Sequence, residues 1–108
     1  MTVTIGQRGI FTLSGPAHEL LGRPDAVEFL YDRDTRVVGV RPAVDRANAY
    51  SVRANGASFS VSGSAFIRHY GIASNAAVRR TASLQDDVLC VDLNDPGTPV
   101  TSNRAKSA

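Results

Sequence analysis

Residues 11–13, Phe-Thr-Leu, alternate apolar and polar positions, as a half-buried strand does. Ser14 follows as a helix N-cap, with Pro16 in the first helical turn, where its missing N–H does no harm. Ala17, Leu20 and Leu21 then recur at the spacing of one helix face. Gly22 stops the helix and Pro24 forbids its continuation. A helix this short does not persist alone, so packing must hold it. Two strands follow. Residues 26–31 place Val27, Phe29 and Tyr31 on one face, and residues 37–40 form a β-branched run ended by Arg41-Pro42. Asp32-Arg33-Asp34-Thr35 between them is charged and turn-forming, which predicts a hairpin.

The same order returns from Phe59. Residues 59–65 repeat the character of residues 11–17 at an offset of 48, and Tyr70-Gly71 answers Leu21-Gly22 at 49. Val78 answers Val27, and residues 88–91 answer residues 37–40, both at 51. Asp86-Asp87 sits in the second hairpin's turn. The offset grows only at loops or helix ends, as duplication with drift predicts. The second helix is apolar at Phe66, Ile67 and Tyr70, and its following strand carries Arg79 and Arg80. Residues 2–5 and 49–53 are candidate leading strands, one per unit. The expected organisation is one domain over residues 1–94, with units at about 1–45 and 46–94. Residues 95–108 lack periodicity and read as a flexible tail.

The chain has 108 residues, enough for one core. No apolar run approaches the roughly 20 residues of a membrane helix. The first eight residues lack the apolar stretch of a secretory signal, so a cytoplasmic location and no membrane partner are expected. The net charge is only +2, and among 12 basic residues only Lys106 is lysine. The arginine excess has two readings: selection for forked contacts to phosphate, or GC-rich codon usage.

No catalytic, cofactor or metal constellation emerges. His18 and His69 lie on the two helices without metal-ligand spacing and read as exposed. The single Cys90 lies in an apolar strand, where a thiol packs as a small hydrophobe. No glycine pattern cradles phosphate and no nucleophile elbow is present. Only a pocket holding His69 or Cys90 with a strongly shifted pKa revives a catalytic reading. The remaining chemistry is surface arginine. Because neighbouring strand residues face opposite ways, one of Arg79 and Arg80 must point inward in a closed barrel, unless the strand is an edge or one side chain lies over the rim.

The run Phe11-Thr12-Leu13-Ser14, a helix ending Leu21-Gly22, Asp25-Ala26-Val27-Glu28-Phe29, a charged turn and Val37-Val38-Gly39-Val40-Arg41-Pro42 resembles the swapped-hairpin domain of AbrB and SpoVT-type transcription factors. The resemblance covers about 32 residues well and a further 35 loosely. It implies a mainly β fold with two short helices, in which tandem β-α-β-β repeats interleave into one pseudo-dimeric swapped-hairpin β-barrel. In some members, such as MraZ, both units lie in one chain. It further implies a DNA-binding transcriptional regulator gripping duplex phosphates. The expected contacts are Arg8, Arg53, Arg68, Arg79 and Arg80. The sequence departs from the family pattern at His18 and Glu19 and at Phe66 and Ile67, where helix arginines are expected, and at Ser14 and Ser62 in place of proline. The alternative is a non-catalytic protein-interaction module, antitoxin-like or virus-related, using the same barrel without DNA. The expected state is a monomer or a dimer of whole barrels.

Overall fold

The computed structural model describes residues 1–72 and 76–100. The strands are β1 (Thr2–Ile5), β2 (Ile10–Leu13), β3 (Ala26–Asp32), β4 (Val37–Pro42), β5 (Tyr50–Asn55), β6 (Ser58–Ser62), β7 (Val78–Gln85), β8 (Val88–Asp92) and β9 (Thr98–Pro99). Two short helices, α1 (Gly15–Leu20) and α2 (Ser64–Tyr70), follow β2 and β6. The antiparallel sheet runs β1-β2-β6-β5-β3-β4-β8-β7, and β7 closes back onto β1, giving an eight-stranded barrel with β9 added outside β7. Closure removes the free edges that an open sheet must otherwise protect.

Alternation places Val3, Ile5, Phe11, Leu13, Val27, Val38, Val40, Val61, Leu89 and Val91 inside, all at most 3% exposed. The pairings run between the two halves of the chain. Phe11 pairs with Val61 and Leu13 with Phe59 across β2–β6; Val38 pairs with Val91 and Val40 with Leu89 across β4–β8. β1 takes its second partner from β7, and β5 takes its own from β3. Each half therefore completes the hydrogen-bond ladders of the other.

Local signals account for the helix and hairpin boundaries. Ser14 caps α1, accepting from the N–H of Ala17, and Leu21-Gly22 ends it with Gly22 at φ 87°. α2 has 7 residues and α1 has 6. α2 starts at Gly63 with no side-chain cap. Asp86 and Asp87 both take positive φ in a two-residue hairpin turn, the geometry that matches the twist of antiparallel strands.

Four expectations change. First, β3–β4 pairs Phe29 with Val40, and β7–β8 pairs Ala82 with Val91. If Val91 is matched to Val40, this register sets Ala82 against Phe29, and Arg80, not Val78, against Val27. Second, Arg79 and Arg80 are on no free edge. Arg80 shares the inward side with its partner Val3, and its Nε donates to the Asp95 carbonyl at 2.6 Å. Third, His18 is not exposed: it is 7% accessible, stacks on Phe59 at 3.8 Å between centroids, and its Nε2 lies 3.0 Å from the Pro24 carbonyl oxygen. Fourth, order runs past residue 95, because Thr98–Pro99 pairs with Val78 and Arg79. The rest of the expected tail, residues 101–108, lies outside the described residues.

Candidate nucleic-acid interface

The register builds one polar row across five neighbouring strands. Arg79 on β7 pairs with Thr4 on β1, Thr4 with Thr12 on β2, Thr12 with Ser60 on β6, and Ser60 with Arg53 on β5. Directly paired residues project to the same side of a sheet. Their sequence neighbours Val3, Ile5, Phe11, Leu13 and Val61 fill the core, so the row faces outward. Arg53 and Arg79 are exposed at its ends, and the three hydroxyls between them are half-buried. Four inter-strand steps of about 4.8 Å set the two arginines roughly 19 Å apart along the surface.

Arg8 and Arg68 line one depression at an edge of this face. Arg8 takes a left-handed conformation, φ 66°, in the short helical turn Gln7–Gly9 between β1 and β2. Gly9 follows at φ 77°, and a Cβ there would lie 2.7 Å from the Ser64 Cα. Only glycine permits that approach. The N–H of Gly63 donates to the Gly9 carbonyl at 2.9 Å, locking the start of α2 onto the turn. The result is a shallow depression lined by Arg8, Ile10, Ser62, Ser64, Ile67 and Arg68.

Charge is segregated around this face. All 10 acidic residues fall within residues 19–45 and 86–95. Strands β1, β2, β5 and β6 contain none. The one buried acid, Glu28, is neutralised locally: Arg41 donates to it at 3.0 Å, and the N–H groups of Val44 and Asp45 donate at 3.0 and 3.1 Å. Those backbone donors, then Arg41, hold its carboxyl below the ordinary value. Cys90 is half-buried, and desolvation pushes its thiol up, away from the reactive thiolate. Among the described residues no group of His, Cys, Asp and Glu is arranged to hold a metal ion.

The structure thus sets Arg8 and Arg68 around one depression and Arg53 and Arg79 at the ends of one row. It keeps Arg80 apart, turned inward and engaged by Asp95. The hydroxyls of Thr4, Thr12 and Ser60 were not among the expected site residues. Their only sequence signal is the polar half of each strand's alternation, and nothing local reveals that the three strands lie side by side. No described helix is long and apolar enough to cross a membrane. No family model matches the chain, and no characterised protein or solved structure is significantly similar to it.

Proposed function

We propose that the protein is a DNA-binding transcriptional regulator, a single-chain, swapped-hairpin barrel of the AbrB type that grips duplex phosphates from the β1-β2-β6-β5 face. The observation that carries this reading is the acid-free row of hydroxyls bounded by Arg53 and Arg79, with Arg8 and Arg68 at one edge of the same face. Arginine forks and hydroxyls are the donors that fix proteins on nucleic-acid backbones. A reach of roughly 19 Å on a curved face lets the outer arginines straddle a major groove about 12 Å wide. The pairing of each half's leading strand with the other half supports two interleaved units in one chain. A cytoplasmic monomer, or a dimer of whole barrels, follows from this reading, and light scattering distinguishes the two.

Anisotropy titration with a fluorescent duplex tests it. Four phosphate contacts give a slope of log affinity on log salt near −3.6, a loss of about 150-fold between 50 and 200 mM salt. Arg53→Gln with Arg79→Gln halves that slope to about −1.8. An absence of duplex binding at about 50 mM salt, or a slope the double variant does not change, overturns the proposal.

A protein-interaction module is the second reading, favoured by the apolar surface beside α1. There Leu20 is 52% exposed next to Pro16 and Phe59. A stoichiometric protein complex that retains no nucleic acid supports it.

A further inference from the structure

Four of the chain's seven Phe and Tyr rings, Phe29, Tyr50, Phe66 and Tyr70, line one groove of about 580 Å³ between β3, the start of β5 and α2. That volume lies in the usual range for small-ligand sites. The rings form a continuous chain, with centroids 4.8 Å apart for Phe29–Tyr50, 5.0 Å for Phe29–Phe66 and 5.1 Å for Phe66–Tyr70. Phe66 is buried, but Phe29, Tyr50 and Tyr70 remain half-exposed. Neither tyrosine hydroxyl is hydrogen-bonded to another described residue. Arg41 and His69 also line the groove, and the Arg33 guanidinium lies 5.3 Å from the Tyr70 ring centroid. Glu28, the acid in the wall, has its carboxylate engaged by Arg41 and two backbone N–H groups, which pairs off both charges and leaves Arg33 and His69 as the basic groups beside the rings.

The flank of α1 gives the contrast. There the Phe59 ring is covered by the imidazole of His18, stacked at 3.8 Å and 21°. The protein thus supplies its own planar heteroaromatic ring beside one helix, while beside the other Phe29, Tyr50 and Tyr70 keep part of their surface exposed.

We propose that this groove binds a nucleobase carrying a phosphate, the base stacked on the half-exposed rings of Phe29, Tyr50 and Tyr70 and the anion drawn to Arg33 and His69. Stacking on an aromatic ring accepts any base, and a guanidinium at the rim favours the anionic form. The site goes beyond duplex binding and uses none of Arg8, Arg53, Arg68, Arg79 or the hydroxyls of the row, so either can fail alone. The base can come from a free nucleotide or from a single strand.

Titration with adenosine 5′-monophosphate, adenosine and ribose 5-phosphate tests the proposal, followed by calorimetry and by tyrosine fluorescence, since two of the three tyrosines line the groove. The monophosphate is expected to bind, adenosine more weakly, and the sugar phosphate not at all. Tyr50→Ala and Tyr70→Ala each weaken binding at least roughly fivefold, whereas Arg53→Gln leaves it unchanged. Circular dichroism establishes that each variant is folded. If Tyr50→Ala is not, Tyr50→Leu keeps apolar volume while removing the stacking face. Tyr50-dependent binding of a deoxyadenylate pentamer more than about tenfold tighter than the mononucleotide assigns the base to a strand; equal affinity assigns it to a free nucleotide. Sugar phosphate binding equal to the nucleotide's, affinity insensitive to both tyrosines, or no saturation by nucleotide or pentamer up to about 10 mM overturns the proposal.

Discussion

Adding a single methyl group at Gly63 tests how tightly α2 is seated on the core. The Cβ of Gly63→Ala would stand 2.7 and 2.8 Å from two ring carbons of Phe11 and 3.1 Å from the Phe29 Cε2. Favourable carbon contacts lie at about 3.5–4.0 Å, so something must move by nearly 1 Å. Phe11 is wholly buried, with Phe29 at 4.5 Å and Phe66 at 6.3 Å between centroids, and has no free space to enter. Overpacking of this kind costs about 1–3 kcal/mol. Gly63 has φ −107°, which alanine adopts without strain, so reduced freedom of the unfolded chain returns about 0.4–1 kcal/mol. The expected net loss is about 1–2 kcal/mol, a drop in Tm of roughly 4–8 °C per kcal/mol. Phe11→Leu alone also destabilises, by less than the roughly 3–5 kcal/mol of a full truncation to alanine. Combined, the two changes make room for each other, and the double variant should be at least about 0.5 kcal/mol more stable than the sum of the singles. Urea unfolding followed by circular dichroism measures all four proteins. Strict additivity, or a Gly63→Ala variant as stable as the parent, refutes the tight seating.

Two further predictions concern polar groups. The carboxyl of Glu28 has its pKa lowered in the folded state, so its stabilising contribution is fully present above the ordinary value of 4.5 and is lost as pH falls through the lowered one. Urea midpoints measured from neutral to acid pH should therefore fall more steeply for the parent than for Glu28→Gln, and parallel profiles would falsify the assignment. Ser14 Oγ accepts from two backbone N–H groups, Ala17 at 3.3 Å and Thr2 at 3.0 Å. Ser14→Ala should cost about 1–2 kcal/mol by thermal unfolding, the upper part of the cap range, while Ser62→Ala, on an exposed residue outside any cap, should cost less than about 0.5.

Features governed by near neighbours in the chain were legible in the sequence. Ser14 and Pro16 mark the start of α1, the paired aspartates mark a turn, and alternation marks the strands of the first half. Burial of Val27 and Val40 follows from that pattern alone. What depends on closure of the barrel was not legible. His18 looks like an exposed helix residue until Phe59 is brought beneath it. Glu28 occupies a polar position of its strand, and only the β3–β4 pairing places Arg41 opposite it. The inward turn of Arg80 follows from its pairing with Val3, set by strands at opposite ends of the chain. The arginines could be named from the sequence. The hydroxyl row joining two of them could not, because register between distant strands is a tertiary property.

The pairing of β1 with β7 also sets a schedule for synthesis. Thr2 finds its partner only when Thr81 has been made. At roughly 5–20 residues per second the ribosome needs about 4–16 s to deliver it. Throughout that interval Val3, Ile5, Phe11 and Leu13, which become the dry wall of the barrel, belong to a chain that cannot close. Non-local pairing of this kind also folds slowly once the chain is complete. The nascent first half is therefore a natural client for chaperones that bind exposed apolar strands, and its yield in the cell depends on translation speed as well as on the stability of the finished barrel.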